Sequence, residues 1–496
     1  MKGVILPVRP TETGERFIRA ANRALADSRE VFRVLDDRCA DVRRGDVFVQ
    51  GEHSASMCAS PGAQARDVPA SMLAPLKRGR IAVLWDESFF WGVLAVAGLN
   101  RLGFEYQLIS CSDVRYEGLC EYDLLVVPGG WAAEKARRLG KTGRHAVRAF
   151  VRAGGAYLGF CGGAGLSLDV TGGLGLLPVK RKPSEERVPN FSGSLMVRPE
   201  SEAHPAWLGL NGPQRLYVWW PSQFEIADEN AVRILGRYTA PCDDFFVSDL
   251  NVFEILQNGG DWIDWEQRYG ANLDPARLEG EPAVLEGRFG EGTVIASYAH
   301  LETPGSAAGA VALFNSIQYL LTGTRADVCR SGTAGERMAS VSPSERRRIH
   351  TLVEKMVDRA EALRTLGVRV GLWEPRNDWF LLWRRGVKGF AFNALFGLIN
   401  ELNRRTLESG PRLPGDVSAD EFLAKLGEAA GLSERFFLEA SGVLTDIRLT
   451  ISELPRRDSQ ELYHRVSRMG GDNEIYRRLQ ECLGDLLYHL LRVSGE

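Results

Sequence analysis

The chain has 496 residues, 44% hydrophobic and 25% charged, the composition of an ordinary soluble globular protein and the length for two or three domains. Its 61 Lys and Arg against 64 Asp and Glu leave a formal charge of −3, so no global electrostatic argument favours nucleic acid or an acidic membrane surface as a partner. Eight cysteines without a CxxC spacing exclude a disulfide-dense scaffold and a zinc cluster; neither a metal nor a cofactor is expected.

The opening Met-Lys-Gly-Val-Ile-Leu-Pro holds three consecutive apolar residues before Pro7, too few for a signal-peptide core. The longest later apolar run, 390–399, is interrupted by Asn393 and is too short to span a bilayer. The expected compartment is the cytoplasm, without membrane contact. Residues 1–78 read as a leader. Phe17, Ala21, Leu25, Val31, Phe32 and Leu35 fall on one helical stripe, and 36–79 turn polar and small, with Ser54 and Ser60 in Ser- and Gly-containing stretches. This pattern predicts one amphipathic helix and a linker of low order.

From Arg80 strands and helices alternate. Strands are predicted at 81–85, 106–110 and 123–127, the last running into Pro128-Gly129-Gly130, with a helix over 91–102 closed by Gly103. A helix over 145–153 leads into Gly155-Ala-Tyr-Leu-Gly-Phe-Cys161, an apolar run that stops at a cysteine and breaks into glycines. Further strands are predicted at 193–197, 216–220 and 283–289, then a turn at Gly290-Glu-Gly292, a strand into Ser297-Tyr-Ala-His300-Leu-Glu302, and a helix over 308–321. Val-, Ile- and Leu-rich strands alternating with helices indicate an α/β domain over 79–323, with a mostly parallel sheet and helices on both faces. Residues 324–496 read as an all-helical C-terminal domain. Ser342-Pro-Ser-Glu345 and Ser418 to Glu421 are capping signals, and Ile475, Leu479, Leu483, Leu486, Leu487 and Leu490 form a final apolar stripe.

Chemistry concentrates in two segments. A cysteine at a strand-to-helix elbow suits a nucleophile, because backbone N–H groups at a helix start stabilise a thiolate. His300 can take the thiol proton and return it to a leaving amine, and Glu302 two residues on, pointing the same way on an extended backbone, can orient the imidazole. The N–H groups of Gly130 and Gly162 can hold an oxyanion, with Gly129 beside them, and Trp220 can wall the substrate crevice. In parallel sheets such ligands bind beyond the carboxyl ends of strands, where Gly129, Gly130 and Cys161 all lie.

The order Pro-Gly-Gly, Gly-Phe-Cys-Gly-Gly and His-x-Glu resembles the class I glutamine amidotransferases. That resemblance implies a flavodoxin-like sheet and ammonia release from glutamine at a Cys-His-Glu triad. More closely, Tyr122-Asp-Leu-Leu-Val-Val-Pro-Gly-Gly-Trp131, Gly154-Gly-Ala-Tyr-Leu-Gly-Phe-Cys-Gly-Gly-Ala164 and Pro189-Asn-Phe-Ser-Gly193 look like the amidotransferase-like domain at the N-terminus of eukaryotic-type biotin-protein ligases. The resemblance covers about residues 80–323 and does not extend to a biotinyl-adenylate loop. Two positions depart from the amidotransferase pattern: Gly165 stands where that family carries Gln, and Leu301 where it carries Pro. No phosphate loop of the GxxxxGK[ST] type is present, so an ammonia acceptor, such as a synthetase, is expected on another protein.

Blander readings exist for each feature. A lone cysteine at a strand end is more often core, and His204 before Pro205 reads as a loop residue. Glu225 is a weaker pocket candidate. The stretch 373–396, with Trp373, Trp379, Phe380, Trp383, Arg384, Arg385, Lys388, Phe390 and Phe392, reads as core aromatics with a solvated cationic rim rather than a nucleic-acid or membrane surface. The leading expectation is a cytoplasmic protein that hydrolyses a small-molecule amide through a thioester, in the manner of the glutamine amidotransferases it resembles, with a possible protein partner at the helical domain. The alternatives are a hydrolase or peptidase of a non-glutamine amide, and a non-catalytic ligand-binding or regulatory module.

Overall fold

The first 75 residues carry more structure than their polarity suggests. Strands β1 (Lys2–Leu6), β2 (Val31–Val34), β3 (Val47–Gln50), β4 (Gln64–Asp67) and β5 (Leu73–Pro75) form one antiparallel sheet in the order β4-β1-β3-β2-β5. Helix α1 (Glu12–Ala26) starts at Thr11, whose hydroxyl accepts the Gly14 N–H, and it buries Phe17, Ile18, Ala21 and Leu25. The expected leader of one helix and a linker is therefore corrected. Val31 and Phe32 share the helical spacing but lie in β2, and strands of three to five residues are too short for their alternation to stand out. This layer is fastened to the rest of its unit by buried polar contacts. Asn22 Nδ2 donates to Leu102 O at 2.9 Å, and Arg33 Nη2 donates to Asn315 Oδ1 at 2.5 Å and to Leu208 O at 3.1 Å.

The computed structural model describes all residues except 39–41, 52–61, 249, 325–337, 378–379, 384–388, 409–410, 452–472 and 493–496. Ser54, Ser60, Trp379, Arg384, Arg385 and Lys388 lie outside the described residues, as do the side chains of Phe380, Trp383 and Phe390. The chain divides into two compact units, Met1–Ser331 and Gly332–Glu496.

In the first unit, β6 (Ile81–Leu84), β7 (Gln107–Ile109), β8 (Leu124–Val127), β9 (Ala156–Phe160) and β18 (Gly292–Ser297) are mutually parallel, in the order β7-β6-β8-β9-β18. By sequence of appearance this is 2-1-3-4-5, the flavodoxin-like order. Apart from Gln107 in β7 and Thr293 and Ser297 in β18 the strands are apolar, as expected of a sheet buried on both faces. Helices α2 (Phe89–Leu102), α3 (Cys111–Tyr116), α4 (Ala132–Arg152) and α5 (Gly162–Ser167) connect them, and α2 ends at Gly103 in the left-handed conformation. The predicted helix at 145–153 is the last part of α4, which is kinked at Gly140; that glycine hides its first half from a periodicity reading.

An antiparallel extension continues this sheet. Beyond β18 run β17 (Pro282–Phe289), β14 (Arg233–Pro241), β11 (Phe191–Pro199), β15 (Phe246–Val247) and β16 (Leu250–Asn251), while β12 (Gln214–Trp219) pairs with β11. The short pair β10 (Lys180–Arg181) and β13 (Phe224–Glu225) stands apart. Helices α6 (Val252–Gln257) and α7 (Trp262–Tyr269) follow β16, and α8 (Ala307–Thr322), apolar and buried along most of its length, closes the unit.

The second unit is helical: α9 (Pro343–Arg369), α10 (Gly389–Glu408), α11 (Ala419–Ile451) and α12 (Glu474–Arg492), with two short strand pairs, β19 (Met338–Ala339) with β22 (Leu413–Pro414) and β20 (Trp373–Asn377) with β21 (Phe380–Trp383). The Ser342 capping box is formed on both sides. Trp373 and Phe392 have ring centroids 5.0 Å apart and Phe392 and Phe436 5.6 Å apart, so these aromatics are core. No helix among the described residues is long and apolar enough to cross a membrane.

Candidate active site

Cys161 is the single residue between β9 and α5, and it takes φ 47° and ψ −103°. A β-carbon there costs about 1–3 kcal/mol, which surrounding packing must hold in place. Glycine makes the turn possible. A β-carbon on Gly162 would lie 1.9 Å from Gly130 O, and one on Gly130, itself at φ 109°, would lie 2.1 Å from Glu87 O. Three strand ends thus meet backbone to backbone: the loop after β6, the Pro128-Gly129-Gly130 turn after β8, and the elbow after β9. Glu87, Phe89 and Trp220 also have positive φ, so non-glycine strain gathers around this crevice.

His300 and Glu302 follow β18, which leads parallel to β9 with Ser297 opposite Phe160. The strand ends at Ser297, so the pair meets in a turn and not on the extended backbone expected from sequence. Both side chains are buried, and His300 Nδ1 lies 2.6 Å from Glu302 Oε1. The backbone N–H of His300 donates to Tyr217 O at 2.8 Å, fixing the turn to β12. On its other edge, His300 Nε2 is buried without a hydrogen-bond partner, and the Cys161 sulfur lies within electrostatic reach of the ring.

Burial disfavours the charged imidazole, but the Glu302 carboxylate outweighs it, with the Cys161 sulfur adding to the effect; the His300 pKa is raised to about 10. The carboxylate thus favours the protonated imidazole. Cys161 itself is partly exposed, its Sγ 3.9 Å from Trp219 O.

All seven residues singled out from sequence converge here. A β-carbon on Gly129 would lie 2.8 Å from Trp91 Cγ. The Trp91 ring sits 4.9 Å from the His300 ring and 6.5 Å from that of half-buried Trp220. Gly162 and Gly130 touch, as described. Two weaker candidates are elsewhere: Glu225 is exposed on β13, and His204 is a structural residue. His204 Nδ1 accepts the Ala206 N–H at 3.2 Å, and Nε2 lies 3.3 Å from Glu286.

Sequence reasoning missed three contributors. Trp91 packs on the His300 ring, and its signal was only an aromatic in the first turn of a helix. Lys135 is fully buried behind Gly130, with Nζ donating to Asp86 O at 3.0 Å and Ser88 Oγ at 2.5 Å. Burial lowers its pKa to about 8 against the pull of neighbouring anionic groups. It ties the post-β6 loop to α4, and Glu134-Lys135 in a first helical turn reads as solvent-exposed. Tyr298, two residues before His300, is buried beside the elbow: a β-carbon on Gly165 would lie 4.0 Å from its hydroxyl. No cluster of three or more His, Cys, Asp or Glu among the described residues is arranged to hold a metal ion.

The profile of the family described as biotin-protein ligase, N terminal, matches residues 118–168, a stretch that carries the Pro-Gly-Gly turn and the Cys161 elbow and ends before His300. No curated protein matches the chain. Among solved structures, the chain is similar to PurLQS from Thermotoga maritima at 17% identity and a TM-score of 0.34, covering 49% of this chain and 99% of that one. It is similar also to a glutamine amidotransferase from Thermotoga maritima at 13% identity and a TM-score of 0.29, covering 46% of this chain and 77% of that one. The flavodoxin-like assignment rests on the strand order, and a short sequence similarity to the biotin-protein ligase N-terminal domain accompanies it.

Proposed function

We propose that this protein cleaves the carbon–nitrogen bond of a small amide through a thioester on Cys161, the chemistry of a glutamine amidotransferase. The Cys161 sulfur attacks the amide carbonyl, and the N–H groups of Gly130 and Gly162 receive the oxyanion. His300 carries the thiol proton to the departing ammonia, while Glu302 fixes the tautomer and stabilises the imidazolium. Water, giving a proton to His300, then attacks the thioester; the products are a carboxylic acid and the regenerated thiol. The released ammonia is used by a partner, for which an ATP-dependent synthetase is the chemical expectation.

One observation carries this reading: a strained elbow cysteine within electrostatic reach of a fully buried histidine whose Nδ1 is 2.6 Å from a buried carboxylate. A glutamine-analogue chloroketone followed by intact-mass spectrometry tests it. The expected result is one adduct, on Cys161, absent from Cys161→Ala; no adduct on Cys161 contradicts glutamine as substrate.

Gly165 favours a second substrate. With no side chain at the position where amidotransferases carry Gln, the space beside the elbow faces the Tyr298 hydroxyl, which suits an amide other than glutamine. Thioester chemistry would be unchanged.

A further inference from the structure

On the amide-cleaving reading of Cys161, we propose that Lys135 is a positioning residue for the oxyanion site, its ammonium holding the loop after β6 against Gly130 so that the Gly130 N–H meets the substrate oxygen. Lys135 stands in the first turn of α4, its backbone N–H donating to Trp131 O at 3.0 Å, and its side chain is fully buried. A β-carbon on Gly130 would lie 2.1 Å from Glu87 O and 3.4 Å from Lys135 Cε. Towards the elbow, Gly130 N is 3.1 Å from the β-carbon position of Gly162. Gly130 is thus wedged between the elbow on one side and the Glu87 backbone and the lysine stem on the other.

The Glu87 backbone does not keep this place unaided. Glu87 and Phe89 have φ of 57° and 44°, a conformation that non-glycine residues retain only where their surroundings impose it. The ammonium grips the loop on both sides of Glu87. Its Nζ donates to Asp86 O at 3.0 Å and to Ser88 Oγ at 2.5 Å, and Ser88 Oγ donates onward to Leu84 O at 2.8 Å. The carboxylates of the same loop are engaged elsewhere: Asp86 accepts the Cys111 N–H at 2.7 Å, and Glu87 pairs with Arg138 at 2.9 Å. Lys135 therefore forms no ion pair among the described residues, and the atoms it bonds are two neutral oxygens. A buried charge facing neutral oxygens is costly to keep, and this one is kept beside the donor where negative charge develops in the reaction. Burial lowers the lysine to about 8 against the pull of Cys111 on α3, Glu87 and Asp86 on the loop, and Cys161 at the elbow. Its own helix adds Glu134 and Arg138, paired with Arg137 and Glu87. Below about pH 8 the ammonium holds the loop; above it the neutral amine is a weaker donor and the hold is lost.

Two reagents separate the oxyanion site from the nucleophile. With p-nitrophenyl acetate the Cys161 sulfur attacks the ester carbonyl, the thiol proton passes to His300, nitrophenolate leaves and an acetyl thioester remains, by way of a tetrahedral oxyanion. With iodoacetamide the sulfur displaces iodide and no oxyanion forms. The ratio of the two rates cancels the ionisation of Cys161 and His300, which both reactions share. Acylation is read as the nitrophenolate burst that Cys161→Ala abolishes, and alkylation as the Cys161 adduct by mass spectrometry. The wild-type ratio of acylation to alkylation is expected to be level up to about pH 7 and to fall at least about fivefold by about pH 9.5. In Lys135→Met the ratio at about pH 7 should be at least about tenfold lower, with alkylation unchanged and no further dependence on pH. A wild-type ratio level across that window overturns the proposal without recourse to any variant, and so does a Lys135→Met ratio equal to that of wild type. If Lys135→Met loses both reactions together, the wild-type profile decides. A wild-type chain alkylated at Cys161 but giving no burst would count instead against Gly130 and Gly162 as oxyanion donors, and so against the amide-cleaving reading itself.

Discussion

Cys161, His300 and Glu302 differ in how they are held. The cysteine is placed by backbone strain and by glycines that let the Gly130 turn close to van der Waals limits, whereas the histidine is placed by Trp91 and Tyr217 O and charged by Glu302. The charge has a measurable consequence. The folded-state pKa of His300, raised from 6.5 to about 10, means that the native chain binds a proton that the unfolded chain releases. The resulting stabilisation is complete below about pH 6.5 and is lost as pH rises to about 10. Urea denaturation of wild type across that window should show stability falling with pH, and Glu302→Gln should flatten the slope; equal slopes would show that the pair is not an ion pair.

At the scale of elements, Arg33 and Asn315 join the N-terminal sheet to α8. Arg33 is buried, its pKa lowered to about 9 by that burial, and it rests over the Phe314 ring at 5.2 Å. Asn315→Ala would leave a buried guanidinium short of an acceptor and should cost about 2–4 kcal/mol in urea unfolding, with the apparent transition shared by both layers. A cost near zero would mean that the sheet is independent of the α/β body. The strands of that body were legible because their centres are apolar runs, and the elbow because Cys161 is bracketed by glycines. The N-terminal sheet was not, since Val47-Phe-Val is shorter than a helical turn needs and Val31 falls on a helical stripe by coincidence. Lys135 was invisible for a different reason. Burial of a long cation depends on partners distant in sequence, here Asp86 and Ser88.

For the whole molecule, the parallel order 2-1-3-4-5 gathers strand ends from residues 84, 127, 160 and 297 at one edge, and chemistry separated by about 140 residues becomes a single crevice. The antiparallel extension supplies Trp219 and, just past β12, Trp220, which a sheet of five strands alone would lack. Activation and exposure can be told apart within this one chain, because Cys120 is exposed and Cys161 is only partly so. The direct test is the order of labelling by limiting iodoacetamide at neutral pH, followed by peptide mass spectrometry. Labelling of Cys161 ahead of Cys120, slowed at least about tenfold by His300→Ala, is the result predicted for a nucleophile with its base. Labelling of Cys120 first, with Cys161 indifferent to His300, would contradict it.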